Sequence, residues 1–328
     1  MKRSLAFALS LISVFALSSC ANSPKELTLI AHDSFVMSDE LISTFEKSSG
    51  YHLNIVRAGD AGAMTNKLVL TKDAPLADVV FGIDNTFAPV ATKNNLIDGE
   101  LTPIDFADVC FNVDLAYFKS HNLAIPDNWR DLTKKEYKNL TVIENPNTSS
   151  TGLAFLISTY DGFPPMTAGV IPPTVNWWLA LRDNGVKVAA SWEDAYYSDF
   201  SGSSGKGKYP IVLSYSSSPA DEVGDDGKSK TQALLKDCYR QTEYVGVLNN
   251  AANPDGAKAL ISFMKDKSFQ SALPEAMYVY PVDSSVELPS RWAQYAPTAE
   301  SIIGGKLDID GKREQWLGDF NWVFAVAP

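Results

Sequence analysis

Residues 209–219 read Tyr-Pro-Ile-Val-Leu-Ser-Tyr-Ser-Ser-Ser-Pro, an apolar run that changes abruptly into hydroxyl-bearing residues. The β-branched segment 211–213 predicts a short strand, and the serines after it predict a polar turn. Pro219 would then be the first residue of a helix, with Ser218 as its cap. Open α/β sheets bind ligands where a strand ends and a helix begins. We therefore expect the serine hydroxyls and the Tyr215 ring to face one ligand crevice.

The bulk composition limits the kind of partner. The chain has 328 residues, which is long enough for two domains, and its formal net charge is −11. Such a charge argues against nucleic acid or an anionic membrane surface as the partner, and it is compatible with a cationic ligand. We expect a small-molecule ligand and no nucleic acid.

The N-terminus has the pattern of an export signal. Two basic residues precede an apolar run at 5–17, which is too short for a membrane span. The run leads into Leu-Ser-Ser-Cys, which resembles the lipobox of bacterial lipoproteins. We predict that 1–20 is a signal peptide, that Cys20 is lipidated and that 21–26 is a tether. The alternative is an ordinary cleaved signal with an accidental cysteine.

Strands and helices alternate after the tether, for example in a helix that Ser38 caps and Gly50 ends. This alternation predicts a parallel sheet with right-handed crossovers. The carboxyl ends of parallel strands meet at one edge, so we expect the polar turns that follow them to converge. The predicted strands are 27–31, 53–56 and 77–83, and their turns are 32–34, 59–62 and 84–85.

A second α/β unit begins near residue 109, with a strand at 140–143, an apolar helix at 152–160 and a glycine-serine-lysine loop at 202–208. A strand at 243–248 returns the chain to the first unit, so two crossings would form a hinge. We predict a first lobe of 27–108 and 242–282, and a second lobe of 109–241 and 283–328.

Cys110 and Cys238 lie at the two predicted crossings. An even number of remaining cysteines in an oxidising compartment favours a disulfide. Neighbouring strands can bring two Cα atoms to the separation of about 5.5–6 Å that a disulfide needs. The alternative is a pair of buried thiols.

The sequence has no nucleophile elbow and no phosphate-binding loop of Walker spacing. His32, His52 and His121 are scattered without metal-ligand spacing, so we predict no metal site, and each favours a surface or turn position.

Three aromatic residues fit a ligand site. Trp192 opens a predicted helix, Tyr215 ends a strand and Tyr278 lies in a loop. Flat rings stack on planar ligands and attract cations by about 0.5–2 kcal/mol per ring. For each ring taken alone, a place in the core is the simpler interpretation.

Polar residues at predicted helix starts complete the candidate site. Asp60, in a glycine-bearing turn, offers a carboxylate to a cation, or simply caps the next helix. Ser149 and Ser150 precede a helix whose N-terminus would bind a phosphate or hydroxyl, or they only cap it. Tyr196 and Tyr197 resemble the adjacent tyrosines of ferric-ion-binding proteins, but within a helix their rings would diverge.

Together these segments resemble the periplasmic thiamine-binding proteins of ABC importers, within the bilobed solute-binding superfamily. The resemblance covers about residues 27–285 and keeps the order and spacing of six short motifs. They are His-Asp-Ser-Phe at 32–35, Ala-Asp-Val-Val-Phe-Gly-Ile-Asp-Asn at 77–85, Asn-Pro-Asn-Thr-Ser-Ser-Thr-Gly-Leu at 145–153, Ser-Trp-Glu-Asp-Ala-Tyr at 191–196, Val-Leu-Ser-Tyr-Ser-Ser-Ser-Pro-Ala at 212–220 and Tyr-Val-Tyr-Pro-Val at 278–282.

The resemblance implies an α/β, two-lobed periplasmic-binding-protein fold of type II, each lobe a mainly parallel sheet flanked by helices and joined to the other by a hinge. It implies that Trp192 and Tyr215 pack against the rings of thiamine. Tyr278 stands where the family commonly has tryptophan. Asp60 would lie near the thiazolium, and Ser149 near the hydroxyethyl or phosphate end.

The resemblance places His32, Asp33, Ala61 and Ser150 at the same site. His32 replaces a tyrosine of the family motif. Ala61 replaces a glycine, which leaves less room for a phosphate.

The implied function is that of an extracytoplasmic substrate-binding lipoprotein, with no enzymatic activity and no cofactor. It would bind thiamine, a thiamine phosphate or a related cationic heterocycle and deliver it to an ABC transporter permease. We expect a monomer that contacts the membrane only through its lipid. Two alternatives remain: a thiamine-degrading enzyme with Cys110 as nucleophile and Glu243 as base, and a binding protein for a polyamine or ferric ion.

Overall fold

The computed structural model describes residues 25–164 and 170–325. The predicted signal peptide 1–20 and its Cys20 lie outside the described residues. The first strand begins at Lys25, so the last two residues of the expected tether 21–26 belong to that strand.

Nine strands of the described chain form one mixed sheet in the order β2-β1-β3-β8-β4-β7-β5-β6, with β9 also paired to β4. The outer pairs are parallel, and the central pairs that involve β4 and β8 are antiparallel. The strands are β1 (Lys25–Ala31), β2 (Tyr51–Arg57), β3 (Val79–Asp84), β4 (Thr102–Asp114), β5 (Thr141–Glu144), β6 (Lys187–Ala189), β7 (Ile211–Tyr215), β8 (Thr231–Val247) and β9 (Tyr280–Pro281).

Helices cover the sheet, and their ends follow the sequence signals. Ser38 Oγ accepts a hydrogen bond from Leu41 N at the start of α1, and Gly50 ends that helix in the left-handed region at φ 73°, as predicted. The α-helices of the described residues are α1 (Asp39–Ser49), α2 (Ala61–Leu70), α3 (Ala88–Lys93), α4 (Leu115–Ser120), α5 (Ser150–Asp161), α6 (Pro173–Asp183), α7 (Ser201–Ser204), α8 (Pro254–Lys265), α9 (Lys267–Ala276), α10 (Trp292–Tyr295) and α11 (Ile309–Ala325).

The long strands β4 and β8 run through the middle of the sheet and join its two halves. We call the part around β1–β3 and β9 the first half, and the part around β5–β7 the second half. Of β8 the sequence predicted only the end, as a strand at 243–248. Residues 235–238 form a bulge opposite Cys110, and the disulfide between Cys110 and Cys238 closes it with Cα atoms 4.9 Å apart. The predicted disulfide is confirmed.

The strand predicted at 211–213 is confirmed as β7, but the helix predicted to begin at Pro219 is wrong. Only a single 3₁₀ turn, Ser218–Ala220, follows. Ser218 Oγ accepts a bond from Tyr215 N (3.2 Å), and Ser217 Oγ donates to the Tyr278 carbonyl oxygen. The hydroxyls therefore hold the turn together rather than line the crevice as a group. The loop predicted at 202–208 is also partly wrong, because α7 occupies its beginning.

The C-terminal helix α11 contacts both halves of the sheet. The Arg313 guanidinium lies 4.9 Å from the centre of the Phe87 ring, next to α3 of the first half. Trp316 stacks on Tyr160 of α5, in the second half. This helix therefore bridges the two halves, although the sequence assigned it wholly to the second lobe.

Candidate ligand-binding site

A cleft between the two halves contains a cavity with about 540 Å³ of empty volume, which we call the inner cavity. The first half supplies the turn after β1, the start of α2 and one residue of β8. The second half supplies the start of α5, the turn at 191–193 and the end of β7. The lining residues are His32, Asp33, Ser34, Asp60, Ala61, Ser150, Thr151, Ser191, Trp192, Glu193, Tyr215, Glu243, Met277 and Val279.

A second cavity of about 630 Å³ adjoins the first and is called the outer cavity. The two cavities share several walls, including Trp192 and Tyr215. Ser34 Oγ donates to Glu193 Oε1 across the cleft at 2.6 Å, and both residues line both cavities. Residues that line only the outer cavity are Phe35, Val36, Arg57, Tyr196, Tyr197, Ser218, Asp221, Ala276 and Tyr278.

Most residues predicted to contact a ligand lie in this cleft. Tyr278 lines the outer cavity only, and Ser149 is completely buried behind the inner cavity without lining it. Their contact with a ligand stays a prediction. The predicted residues that line the inner cavity are His32, Asp33, Asp60, Ala61, Ser150, Trp192 and Tyr215.

One of the three turns expected to converge on the cleft does not reach it. Asp84 is completely buried, and its carboxylate accepts bonds from the hydroxyl and backbone N–H of Thr86 and from Phe87 N. Burial raises the pKa of Asp84 to about 7. The carboxylate therefore stabilises the turn after β3 instead of facing a ligand.

Asp60 joins the two halves through backbone donors. It caps α2, and its Oδ1 accepts a bond from Ala61 N (2.6 Å). Across the cleft, Oδ2 accepts from Trp192 N (2.9 Å), and Oδ1 lies 3.4 Å from Ser150 N at the start of α5. Burial raises the pKa of Asp60, while the bonds from Trp192 N–H and the Ser149 hydroxyl act in the opposite direction.

Glu243 presents a second carboxylate to the inner cavity, and sequence reasoning considered it only as the base of an enzyme. Its Oε1 lies 3.4 Å from His32 Nε2. Behind it, Asp105 is completely buried at the paired position of β4, where burial and the charge of Glu243 raise the pKa of Asp105 well above its usual range. The protonated form of Asp105 is thereby favoured.

His32 is the basic residue of the inner cavity. Its side chain is largely buried, which lowers its pKa, but Glu243, Asp60 and Asp33 raise it, and the net direction is upward. His32 lies directly after β1, in the turn expected there, but it is buried and not at the surface, whereas His52 and His121 are exposed. The protonated ring would partly neutralise Glu243.

Aromatic rings form one wall of the cleft. Trp192 stacks on Tyr196 with centroids 5.0 Å apart and planes at 12°, and its Nε1 donates to Ser214 Oγ. Tyr215 lies 6.0 Å from Trp192 at a tilt of 43°. Burial raises the pKa of Tyr215 well above its usual range, so this ring stays a neutral phenol. Tyr196 therefore supports the indole from behind, and sequence reasoning did not assign it that role.

The remaining lining residues were missed because they come from separate segments that meet only in the fold. The motifs of the resemblance could have identified four of them, because these residues lie within those motifs: Ser34, Thr151, Ser191 and Glu193. Met277 belongs to the α9 end and gave no signal.

The tyrosine pair does not form a two-phenolate site. Tyr196 is buried and its hydroxyl donates to Glu222 Oε1 (3.0 Å), whereas Tyr197 is half exposed with its ring perpendicular to the first. Burial raises the pKa of both hydroxyls, which disfavours phenolates. Across residues 25–164 and 170–325, no cluster of three or more His, Cys, Asp or Glu side chains is arranged to hold a metal ion.

The fold and the cleft are those of a two-lobed binding protein of type II. The chain belongs to the bacterial extracellular solute-binding protein family, whose model matches residues 78–298. A thiamine-binding periplasmic protein of Brucella melitensis is 25% identical over 341 aligned residues, which cover 97% of each chain.

Solved structures share the fold. A periplasmic thiamin-binding protein superposes with a TM-score of 0.78 at 21% identity, covering 91% of this chain and 96% of the other. Iron-bound HitA from Pseudomonas aeruginosa superposes with a TM-score of 0.70 at 14% identity, covering 90% and 99%. The chain is therefore an extracytoplasmic solute-binding protein.

Proposed function

We propose that this protein binds thiamine or a closely related cationic heterocycle in the inner cavity and delivers it to the permease of an ABC importer. The observation that carries the proposal is the lining of that cavity. It combines the Trp192 and Tyr215 rings with four carboxylates and contains neither Lys nor Arg. Flat rings and unbalanced negative charge suit a planar cation. The thiamine-binding name of the Brucella relative supports the same ligand.

In this proposal Trp192 and Tyr215 contact the ligand rings, and Glu243 and Asp60 supply negative charge. Closure of the two halves around the ligand would complete the site, because Ser34, Trp192 and Asp60 already make contacts across the cleft. Tyr278 would cover the outer side of the ligand. Ser149 would act through Asp60, because its hydroxyl lowers the pKa of that carboxyl.

Native mass spectrometry of the purified protein tests the ligand class first, since it separates a vitamin, an amine and a metal by mass. Calorimetry on protein refolded without ligand then measures thiamine binding. The W192A variant should lose at least tenfold in affinity, as expected for one ring of a cation site. Trp322→Ala, which changes an exposed tryptophan of α11, should bind like the wild type. Absence of any thiamine binding by the wild type would overturn the proposal.

A ferric ion or a polyamine is the second candidate ligand. The structural similarity to iron-bound HitA favours iron at the level of the fold only. The buried Tyr196 hydroxyl and its bond to Glu222 weigh against iron, and a flexible polyamine would leave the aromatic wall unused. Bound iron or a bound amine in the native mass spectrum would decide for this candidate.

The enzyme alternative requires a free Cys110 thiolate. Cys110 is bonded to Cys238 and does not line the inner cavity, whereas Glu243 does. We therefore propose binding without catalysis. Thiol counting under denaturing conditions tests this, and a free thiol together with loss of thiamine absorbance would favour the enzyme.

We further propose that Cys20 is lipidated and anchors a monomeric protein outside the cytoplasm. No helix among the described residues 25–164 and 170–325 is long and apolar enough to cross a membrane. Detergent-phase partitioning of the wild type and of C20A, with light scattering of the soluble form, tests the anchor and the monomer. Equal partitioning of both proteins into the aqueous phase would argue against lipidation.

A further inference from the structure

The disulfide between Cys110 and Cys238 lies where the central strand pair passes from one half of the sheet to the other. Residues 243–247 of β8 pair with β3 of the first half, whereas residues 109–113 of β4 pair with β7 of the second half. The bulge at 235–238, opposite Cys110, lies at this transition. A covalent bond at this point limits how far the two strands can move relative to each other when the halves open.

A segment of the C-terminal tail, residues 299–303, holds the bulge in place, and we call this segment the clasp. Cys238 N donates to the Ser301 carbonyl oxygen (3.0 Å), and Ile303 N donates to the Cys238 carbonyl oxygen (2.9 Å). Asp237, whose backbone is left-handed at φ 57°, donates its N–H to Ser301 Oγ (2.7 Å). The conformation of the bulge therefore depends on the clasp as well as on the disulfide.

The clasp also contacts β4 and leads into α11. Ala299 N donates to the completely buried carboxylate of Asp108 on β4 (2.8 Å). Gly304 N, just after the clasp, donates to Asp161 Oδ2 at the end of α5 (2.7 Å). Helix α11 follows and contacts both halves of the sheet. A change at the bulge can therefore reach both halves through a continuous set of contacts.

A cavity with about 250 Å³ of empty volume adjoins the disulfide. Of the described residues, none lines both this cavity and the inner or the outer cavity, so it is separate from the candidate ligand site. The two thiols of a reduced pair would have room to separate in this space. The lining residues are Val109, Cys110, Phe111, Trp129, Phe155, Ser158, Leu213, Leu234, Lys236, Asp237 and Cys238.

We propose that the Cys110–Cys238 disulfide is a redox-sensitive control of cleft closure. With the disulfide formed, Ser34 and Asp60 make their contacts across the cleft. A dithiol would transfer two electrons and two protons to the pair: the S–S bond breaks, each cysteine becomes a thiol, and the dithiol becomes a disulfide. The bulge and the clasp would then have more conformational freedom, which favours open arrangements of the halves.

Reduction should also weaken ligand binding, because only the closed protein encloses a ligand. The apparent affinity falls in proportion to the fraction of molecules that can close. This consequence rests on the proposed function for the identity of the ligand, whereas the effect on closure does not depend on it.

Two measurements on the wild type test the inference, before and after reduction with dithiothreitol. Small-angle scattering of the ligand-free protein should give a larger radius of gyration for the reduced form. Calorimetry with thiamine should give an affinity about tenfold lower for the reduced form, as expected when about one molecule in ten can close.

The two measurements separate failure of the inference from failure of the proposed function. An unchanged radius and affinity, with two free thiols counted and the circular dichroism of the folded protein retained, would overturn the inference and leave the proposed function intact. A larger radius on reduction without thiamine binding in either form would support the control of closure and overturn the proposed ligand.

The double variant C110A/C238A is the matched control for the reductant. The chain has three cysteines, and the third is Cys20, the predicted lipidation site, so dithiothreitol acts on this pair. The double variant should scatter and bind like the reduced wild type, and dithiothreitol should change neither property. A double variant that behaves like the oxidised wild type would contradict the inference.

S301A tests the clasp with the disulfide intact, and it decides the matter if the reduced protein unfolds. It removes the hydroxyl that accepts the Asp237 N–H bond. We expect a larger radius of gyration and an affinity for thiamine about threefold lower, as for the loss of one hydrogen bond. Ser48→Ala removes an exposed hydroxyl that bonds only within α1, and it should change neither property. If S301A and S48A have the same radius and affinity, the inference is wrong.

Discussion

The folded state favours the neutral, protonated form of the Asp84 carboxyl group. Burial raises its pKa to about 7, against an unfolded value near 3.9. Between these values the folded state binds more protons than the unfolded state, so the free energy of unfolding should fall as the pH rises through this window. The loss amounts to at most about 4 kcal/mol, because one pKa unit corresponds to about 1.36 kcal/mol.

Urea denaturation between pH 4.5 and 7.5 measures this effect. D84N removes the titrating group, and its unfolding free energy should depend less steeply on pH than that of the wild type. Asp98→Asn, an exposed change in the turn before β4, controls for the loss of one charge. Equal slopes in the wild type and D84N would contradict the prediction.

The role of a single side chain could be predicted from the sequence where a local motif determines its position. Asp60 capping α2 and Trp192 just before the π-helix Asp194–Asp199 are such cases, since each depends on neighbours within a few residues. The bond between Ser34 and Glu193 could not be predicted, because 159 residues separate the two in the chain. Burial of His32 was missed for the same reason: its surroundings come from β3 and β8.

Gly82 shows how an element sets the position of a site residue. It lies in β3 at φ 94°, where the pairing with β8 shifts register. A Cβ atom at this position would lie 2.1 Å from His32 Cδ2. G82A should therefore destabilise the protein by about 3 kcal/mol or more, through backbone strain and through the clash, and should move His32 away from Glu243.

Gly99 provides the matched control for that substitution. Its φ is 89°, but a Cβ atom there would meet nothing within 4 Å. G99A should cost only the backbone strain, about 1 kcal/mol. Urea denaturation of the two variants separates the cost of the backbone strain from the cost of the clash with His32. Equal losses of unfolding free energy in G82A and G99A would show that the clash adds nothing.

The disulfide acts on the pair of strands that joins the halves. It connects residues 128 apart in the sequence, so the chain-entropy model assigns it about 4–5 kcal/mol of stability. Reduction should lower the urea midpoint accordingly. The double variant C110A/C238A should have the lower midpoint and should not respond to reductant. A wild-type midpoint that reductant leaves unchanged, with free thiols confirmed, would contradict this prediction.

Strand β8 shows why the sequence pattern alone could not predict the full length of a strand. Only its end, at 243–248, was predicted as a strand, because Lys236 and Asp237 interrupt the apolar pattern at the bulge. The left-handed backbone of Asp237, φ 57°, is stabilised in the fold by the bond between Asp237 N and Ser301 Oγ. Such a long-range contact has no local signature, whereas the disulfide that closes the bulge was visible as a pair of cysteines.

At the scale of the whole molecule, the two-lobed class followed from the alternation of strands and helices and from the resemblance. Contacts between the lobes did not, because they join segments that are distant in sequence. Ala63 N donates to the Thr148 carbonyl at 2.9 Å. This bond, with those of Asp60, holds the lobes together around the cleft.

The bond between Ser34 and Glu193 is a contact between the lobes made by two residues that line both cavities. A hydrogen bond to a charged group contributes about 1.5–3 kcal/mol, so S34A should reduce the ratio of closed to open protein by about tenfold or more. Small-angle scattering of the ligand-free protein should then give a larger radius of gyration for S34A than for the wild type. Ser48→Ala removes an exposed hydroxyl that bonds only within α1, and it should leave the radius unchanged. If S34A and S48A scatter alike, closure does not depend on this bond, and the contacts of Asp60 and α11 are sufficient to keep the lobes together.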